Sequence, residues 1–158
     1  MVALSPRLPS PSRELSMTRY IHAPPERVWS VFKDQLSEWW QPKPLRTVVH
    51  SIEWRTGGIF DTTIYGPNGE SRVRRGLFLE VAPQRRIVFT DAIFADKPSS
   101  LPYTLGVIRF AADSVGTRYR LAAQFWCTPC SRQRSDTKLT DAWRLAAKQF
   151  AALAEAKI

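Results

Sequence analysis

The residues that most readily suggest chemistry are the two cysteines, Cys127 and Cys130, in the segment WCTPC at residues 126–130. A Cys-x-x-Cys spacing is typical of thioredoxin-like redox motifs, which lie between an early strand and a helix whose N-terminus stabilises the thiolate. Here the motif follows a series of strands, so the pattern does not predict the βαβ core that a thioredoxin requires. Two free thiols are the favoured interpretation, while a local disulfide or a functional pair stays open.

The other reactive groups do not form a recognisable metal-binding or catalytic set. His22 and His50 are the two histidines of the chain, and they have neither metal-ligand spacing nor an obvious partner. Gly57 and Gly58 lie between two predicted strands, whereas a phosphate-binding glycine loop joins a strand to a helix. The sequence also lacks a G-x-S-x-G nucleophile motif. We therefore expect no metal and no cofactor, assign no catalytic residue, and favour a non-enzymatic role while leaving catalysis open.

One carboxylate is placed where it could act in a site. Strand alternation over residues 86–94 puts Ile87, Phe89 and Asp91 on one face, which we expect to point inward. A half-buried carboxylate needs a partner, and its pKa rises without one. Two interpretations stay open: Asp91 is a general base, or it is a strand-end residue paired with an arginine. The residues that could complete one arrangement or the other are Glu53, Tyr65, Tyr103, Arg74 and Arg109.

The elements that must position these groups follow from hydrophobic periodicity and turn signals. We predict a flexible tail over residues 1–14 and a single domain over residues 15–158. A first strand at residues 16–22 is followed by a helix that begins at Ala23-Pro24-Pro25-Glu26, because proline and an acidic residue suit a first helical turn. A second short helix covers residues 35–41.

The remainder of the pattern predicts an antiparallel sheet and one long helix. Six strands are expected at residues 47–54, 59–65, 70–81, 86–94, 103–112 and 117–127. Short turns such as Gly66-Pro67-Asn68-Gly69 favour antiparallel pairing, and the helix over residues 135–156 has an apolar face that must lie on the sheet. We therefore predict an α+β fold in which a strongly curved antiparallel sheet of six to seven strands surrounds the C-terminal helix. Such a sheet leaves space for a ligand.

Charge and composition narrow the expected partners. The chain has 158 residues, a net charge of +9 and 44% hydrophobic residues, which suits one globular domain. Its arginines are scattered over strands and turns without a recognisable nucleic-acid-binding motif, so the charge does not favour nucleic acid. The longest apolar runs are shorter than the ~20 residues of a membrane span. Since the proline-rich N-terminus also lacks the apolar core of a signal peptide, we expect a cytoplasmic protein.

Several segments, in order and at matching spacing, resemble the START-like (SRPBCC) superfamily, whose members have the helix-grip fold of the birch pollen allergen. These segments are APPERVWSVF (23–32), WWQPK (39–43), RTGGIF (55–60), GPNGE (66–70) and RGLFLEVAPQRRIVFTD (75–91), followed by a last helix that carries Trp143. Within the superfamily the chain is most similar to the branch named after activators of the ATPase of the ninety-kilodalton heat-shock protein. It departs from that branch at Gln41 and Ala142, where glycine is common.

The resemblance implies a cavity between the sheet and the last helix, with the tryptophan pair near it. We therefore expect a small hydrophobic or aromatic ligand, lipids included. The residues expected to bind it are Trp39, Trp40, Phe60, Phe78, Phe89, Asp91, Trp143 and Phe150. Two alternatives stay open: an enzyme of the polyketide cyclase or dehydratase type, with at least two polar groups converging in the cavity, and a chaperone-activating interaction module. The latter is not favoured, because the chaperone activators need a separate N-terminal domain. A homodimer is compatible with the sequence.

Overall fold

The N-terminal part of the domain forms an edge strand and two short helices. This computed structural model describes residues 13–91, 103–126 and 133–156. β1 (Arg13–Ile21) is followed by α1 (Pro25–Asp34), where Pro25 stands in the first turn and Glu26 complements the helix dipole. α2 (Leu36–Trp39) follows directly. Both helices bury one side, because their apolar residues recur at helical spacing.

Six further strands complete a seven-stranded antiparallel sheet. They are β2 (Arg46–Ile52), β3 (Ile59–Tyr65), β4 (Ser71–Ala82), β5 (Arg86–Thr90), β6 (Tyr103–Ala112) and β7 (Thr117–Trp126). The strand order is β1-β7-β6-β5-β4-β3-β2. Strands β2 to β7 therefore form the meander that the short turns predict, and β1 joins it beside the last strand. α1 and α2 connect the two edge strands, β1 and β2.

The predicted α+β helix-grip fold is confirmed, with small differences at the ends of elements. β3 and β6 have the predicted bounds, whereas β1 begins at Arg13 rather than at residue 16. β2 ends at Ile52 rather than at residue 54, because the turn into β3 has already begun there. Residues 92–94 of the predicted fifth strand lie outside the described residues. So do Cys127 and Cys130, and the interpretation of these cysteines stays a prediction.

The turn between β2 and β3 depends on its two glycines. Gly57 has φ +80°, and a Cβ on Gly58 would overlap the backbone oxygen of Glu53. The Gly57 N–H donates to the Phe78 carbonyl at 2.7 Å, and the Phe78 N–H donates to the Gly58 carbonyl at 2.9 Å. Both the left-handed backbone and the close approach favour glycine. The turn thereby stays paired with β4 and holds the neighbouring strands in register.

The long helix α3 (Gln133–Glu155) lies on the concave side of the sheet. It packs most closely against β1, α1 and α2. Its C-terminal end is fixed by Arg27, whose guanidinium donates to the carbonyls of Leu153 at 3.2 Å and Ala154 at 3.4 Å. A cation suits this end of a helix, where carbonyl groups lack intrahelical donors. In the described parts of the chain, no helix combines the length and the apolar character needed to cross a membrane.

An aromatic core fills the space beneath the C-terminal half of α3. We use this name for Trp29, Phe32, Trp39, Phe110, Tyr119 and Phe150, all of which are buried. Phe150 stacks on Trp39 with 4.3 Å between ring centroids, and Phe32 meets Phe110 edge to face at 5.3 Å. Such aromatic pairs add favourable contacts beyond the area that they bury. They fix this end of α3 firmly to the sheet.

Candidate ligand cavity

A cavity of about 430 Å³ lies beside the aromatic core, between the sheet and the middle of α3. This volume is within the range of roughly 300–1,000 Å³ that is usual for small-molecule sites. Its aromatic lining consists of Trp39, Trp40, Phe60, Phe89, Tyr119, Phe125 and Trp143. The other apolar lining residues are Pro42, Ile64, Gly76, Leu121, Ala123, Leu139, Ala142 and Ala146. The cavity is therefore an apolar cleft with rings on several sides.

The space exists because small residues stand where the core has rings. On α3, Ala142 and Ala146 precede Phe150 at steps of four along one face, so the side-chain volume falls one turn before the aromatic core. On the sheet, a Cβ on Gly106 would overlap the ring of Phe89. That glycine therefore lets the Phe89 ring lie close against β6. Removal of side-chain volume from both facing surfaces leaves the cavity open.

Six of the eight residues predicted to bind a ligand line this cavity. They are Trp39, Trp40, Phe60, Phe89, Asp91 and Trp143. Phe78 and Phe150 do not line it: Phe78 stacks between Trp54 and Phe60, with centroid distances of 5.2 Å to each, and Phe150 belongs to the aromatic core. Contact of the six with a ligand stays a prediction.

The two adjacent tryptophans have different environments. Trp39 is only 2% exposed and stacks on Phe150, and its buried indole N–H has no hydrogen-bond acceptor among the described residues. Trp40 is half-buried and meets Phe60 and Phe89 edge to face, with centroid distances of 5.5 and 6.0 Å. Trp39 therefore joins the core to the cavity, whereas Trp40 presents more of its ring to the open space.

Asp91 lies in the cavity lining, on the same face as Phe89, as strand alternation predicts. Its Oδ1 accepts a hydrogen bond from the Thr104 backbone N–H at 2.6 Å. The Thr90 hydroxyl donates to the Thr104 carbonyl at 2.8 Å, so β5 and β6 remain linked at this end. Of the two arginines considered as partners, Arg74 interacts electrostatically with Asp91, while Arg109 is exposed on the opposite face of β6.

The described structure does not bring the other predicted acid–base groups to Asp91. Glu53 pairs with Arg55 at 2.9 Å, and this hydrogen bond, together with one from the Ile59 N–H, lowers the pKa of the Glu53 carboxyl. The guanidinium of Arg46 lies 5.0 Å from the ring centre of Tyr65. The side chain of Tyr103 is outside the described part. Across the described residues, no group of three or more His, Cys, Asp or Glu side chains could hold a metal ion.

Three arginines lie at the cavity opening; the sequence suggests one of them, Arg74, as a partner for Asp91, but it does not single out Arg72 or Arg75. Arg72 and Arg74 follow each other on one face of β4, opposite the lining residues Ile64 and Thr62 of β3, and Arg75 also contributes to the lining. Desolvation lowers the pKa of the Arg74 guanidinium; Asp91 opposes this shift and Arg72 adds to it. Period-two alternation along β4 is the signal that places Arg72 and Arg74 on the same face, but it does not show that this face borders a cavity.

Tyr119 is a further polar residue of the lining that the sequence did not single out. It is 1% exposed, belongs to the aromatic core and also reaches the cavity lining. Burial raises the pKa of its phenol, so the hydroxyl stays protonated over the whole physiological range. It therefore does not act as an anion in the cavity.

A second group of arginines occupies the convex face of the sheet. Arg86, Arg109 and Arg120 stand directly opposite one another on β5, β6 and β7, with Arg118 nearby. They border a groove of about 440 Å³ that also includes Glu80. The Glu80 carboxylate pairs with Arg86 at 2.7 Å, so part of the positive charge is neutralised. This groove is separate from the aromatic cavity.

Comparisons with known proteins agree with this architecture. A family model described as "Activator of Hsp90 ATPase homolog 1-like protein" matches residues 22–155. A solved structure from Nitrosomonas europaea is 26% identical with a TM-score of 0.78, and the match covers 89% of this chain and 92% of that one. An AHSA1-like protein from Aeromonas hydrophila is 17% identical with a TM-score of 0.71, covering 90% and 92% of the two chains, and shows the fold alone.

None of the curated proteins compared with this chain matches it. The family match nevertheless extends from the end of β1 to the end of α3 and includes every element that lines the cavity. The helix-grip architecture and the order of the matching segments agree with it. The chain belongs to the family of Activator of Hsp90 ATPase homolog 1-like proteins, within the START-like superfamily.

Proposed function

We propose that this protein binds a small hydrophobic or aromatic molecule in the cavity between the sheet and α3. The observation that carries the proposal is an apolar space of about 430 Å³ bordered by several aromatic rings. A packed interior normally leaves few voids larger than a water molecule. A space of this size, kept open by small residues on both sides, therefore fits a binding role better than a packing defect.

The ring-rich lining indicates the chemistry of the ligand. Trp40, Phe60 and Phe89 meet one another edge to face, so flat apolar surfaces surround part of the space. Aromatic side chains offer large, rigid contact areas and pack well against other rings or aliphatic chains. Burial of a ligand's apolar surface supplies roughly 25 cal/mol per Å² before the costs of association are subtracted. A ring system or a short acyl chain would suit this lining.

A neutral fluorescent probe tests the proposal directly. N-phenyl-naphthylamine carries no charge and accepts energy from excited tryptophan, and three tryptophans line the cavity. We expect saturable energy transfer from the protein to the probe, reversed by unlabelled neutral aromatic compounds. The Ala142→Phe variant should weaken binding by about tenfold or more, because its ring would occupy the cavity.

The matched control is Ala152→Phe, the same substitution on the exposed face of the same helix. It should leave the affinity for the probe unchanged. Equal affinity in the wild type, Ala142→Phe and Ala152→Phe would show that the probe binds elsewhere, and lack of any saturable binding would refute the proposal. Conversion of the bound compound to a product would instead favour the cyclase-like interpretation, and chaperone ATPase stimulation would favour the interaction module.

A further inference from the structure

The cavity has one basic end, formed by two neighbouring positions of β4. Arg72 and Arg74 are separated by one residue, so they point to the same face of the strand. Both line the cavity and are exposed, which places them at its opening rather than in its depth. Thr62, Thr90 and Thr104 also line the cavity. The apolar cleft therefore ends in a polar rim with two guanidinium groups.

No described carboxylate forms an ion pair with either of these two guanidinium groups, in contrast to two neighbouring arginines of the sheet. Arg75, the next residue along β4, lies 3.9 Å from the Asp61 carboxylate, and Arg86 lies 2.7 Å from Glu80. Neither Arg72 nor Arg74 has a hydrogen bond or an ion pair with any residue in the described ranges. Their donors are thus available to a molecule in the cavity.

The local electrostatics favour an added anion. Arg72 and Arg74 repel each other, and the surroundings of Arg74 remove part of its hydration. Asp91 attracts Arg74, but one of its carboxylate oxygens already accepts the Thr104 N–H. The charge of Arg75 is opposed by the Asp61 carboxylate at 3.9 Å, so the rest of the rim carries two positive charges and one negative charge. One additional negative charge would balance it, whereas a dianion would also be repelled by Asp91.

We propose that Arg72 and Arg74 bind the carboxylate of an amphipathic ligand whose apolar part occupies the cavity. This inference rests on the proposed binding function and specifies its ligand class: an aryl- or alkyl-carboxylic acid. The planar guanidinium group presents paired N–H donors that match the two oxygens of a carboxylate. The ring-lined cleft accepts the hydrophobic part, and the arginines fix which end of the ligand faces solvent.

The experiment compares an acid with its neutral counterpart in displacement of the neutral probe. Phenylhexanoate and phenylhexanamide have the same apolar part and differ mainly in charge. We expect the acid to bind about tenfold more tightly than the amide, since hydrogen bonds to a charged group are stronger than those between neutral groups. The Arg72→Gln/Arg74→Gln variant should lose this preference and keep its affinity for the amide and for the probe.

Arg109→Gln/Arg118→Gln is the charge-matched control. This variant also removes two positive charges, but from the convex face, where both residues are exposed. It should retain the preference for the acid, so a general effect of net charge is separated from local recognition. Retained probe binding in each variant shows that the fold is intact.

The outcomes separate this inference from the proposed function. If the wild type binds the neutral probe but acid and amide compete equally, the carboxylate inference is wrong while the cavity still binds apolar molecules. If the probe itself does not bind, the proposed function fails. Tighter displacement by phenylhexyl phosphate than by phenylhexanoate would overturn the choice of a monoanionic carboxylate. An equal loss of acid preference in both double variants would assign the effect to net charge.

Discussion

The two halves of α3 differ in how they pack: large rings fill the space beneath the C-terminal half, whereas small side chains border a cavity beneath the middle of the helix. Towards its C-terminus, α3 places Phe150 against Trp39 and Tyr119, with ring centroids 4.3 and 5.1 Å apart. One turn earlier, Ala146 faces the cavity. The helix and its apolar face are continuous through both regions. The difference shows that a change in side-chain size at one helical step converts a packed core into an open site.

The aromatic core and the cavity are therefore interdependent. The rings of the aromatic core set the distance between α3 and the sheet. The smaller residues that precede Phe150 on α3 are too short to fill that distance. Two hydrogen bonds hold the same end of the helix: the Arg27 guanidinium donates to the Leu153 carbonyl, and the Glu155 carboxylate accepts from the His22 backbone N–H. Because close-packed interiors transmit changes in volume, the cavity depends on rigid packing beside it.

The largest effect should come from opening the aromatic core. Phe150→Ala should lower the free energy of unfolding by about 3–5 kcal/mol, because the fully buried ring is lost and its neighbours cannot collapse completely. Trp143→Ala should cost clearly less, since this half-buried side chain already borders open space. Urea denaturation of both variants measures the difference. Equal losses would contradict the contrast between a packed and an open region.

An intermediate effect is expected from adding volume on the same helix. Ala151→Leu should destabilise the protein by about 1–3 kcal/mol, because Ala151 is 1% exposed within the core. Ala146→Leu should cost less than about 1 kcal/mol, because its side chain can extend into the cavity. Ala146→Leu should also weaken binding of the neutral probe. If the cavity is absent in solution, the two variants should instead lose the same amount of stability.

The smallest effect on stability should come from the glycine beneath Phe89. The three atoms nearest to a Cβ at Gly106 all belong to the ring of Phe89, which can turn into the cavity, so Gly106→Ala should cost no more than about 1 kcal/mol. It should nevertheless weaken probe binding, because the displaced ring takes up space. Gly76→Ala is the comparison for stability only, because Gly76 itself lines the cavity: its Cβ would lie 3.4 Å from the backbone oxygens of Phe60 and Thr90, an ordinary contact. A stability loss without weaker binding at Gly106 would show that Phe89 does not move into the cavity.

Much of the fold could be predicted because the relevant signals are local. β3 has the predicted bounds since alternating residues end at the turn Gly66-Pro67-Asn68-Gly69, and β6 likewise ends at the turn around Gly116. α1 begins where its prolines and Glu26 predict, within two residues. The order of strands in the meander then follows from the short turns, because neighbouring strands joined by a few residues pair antiparallel.

The site could be predicted only in part, because alternation identifies a face but not what lies opposite it. Phe78 and Phe89 share the inward face of the sheet and stand directly across from each other on β4 and β5, yet only Phe89 lines the cavity. Phe78 is covered by Trp54, a residue far from it in sequence. Alternation also places Arg72 and Arg74 on one face of β4, but it does not show that this face borders a cavity.

The sequence by itself determined the elements, their order, the inward face of each strand and the apolar face of the last helix. These features depend on periodicity, turns and glycine positions, all of which act over a few residues. Only the tertiary structure decided where α3 touches the sheet and where it stands away from it. That distance depends on side chains from α1, α2, β6, β7 and α3 packing together, so the position of the cavity and its basic rim is a property of the assembled fold.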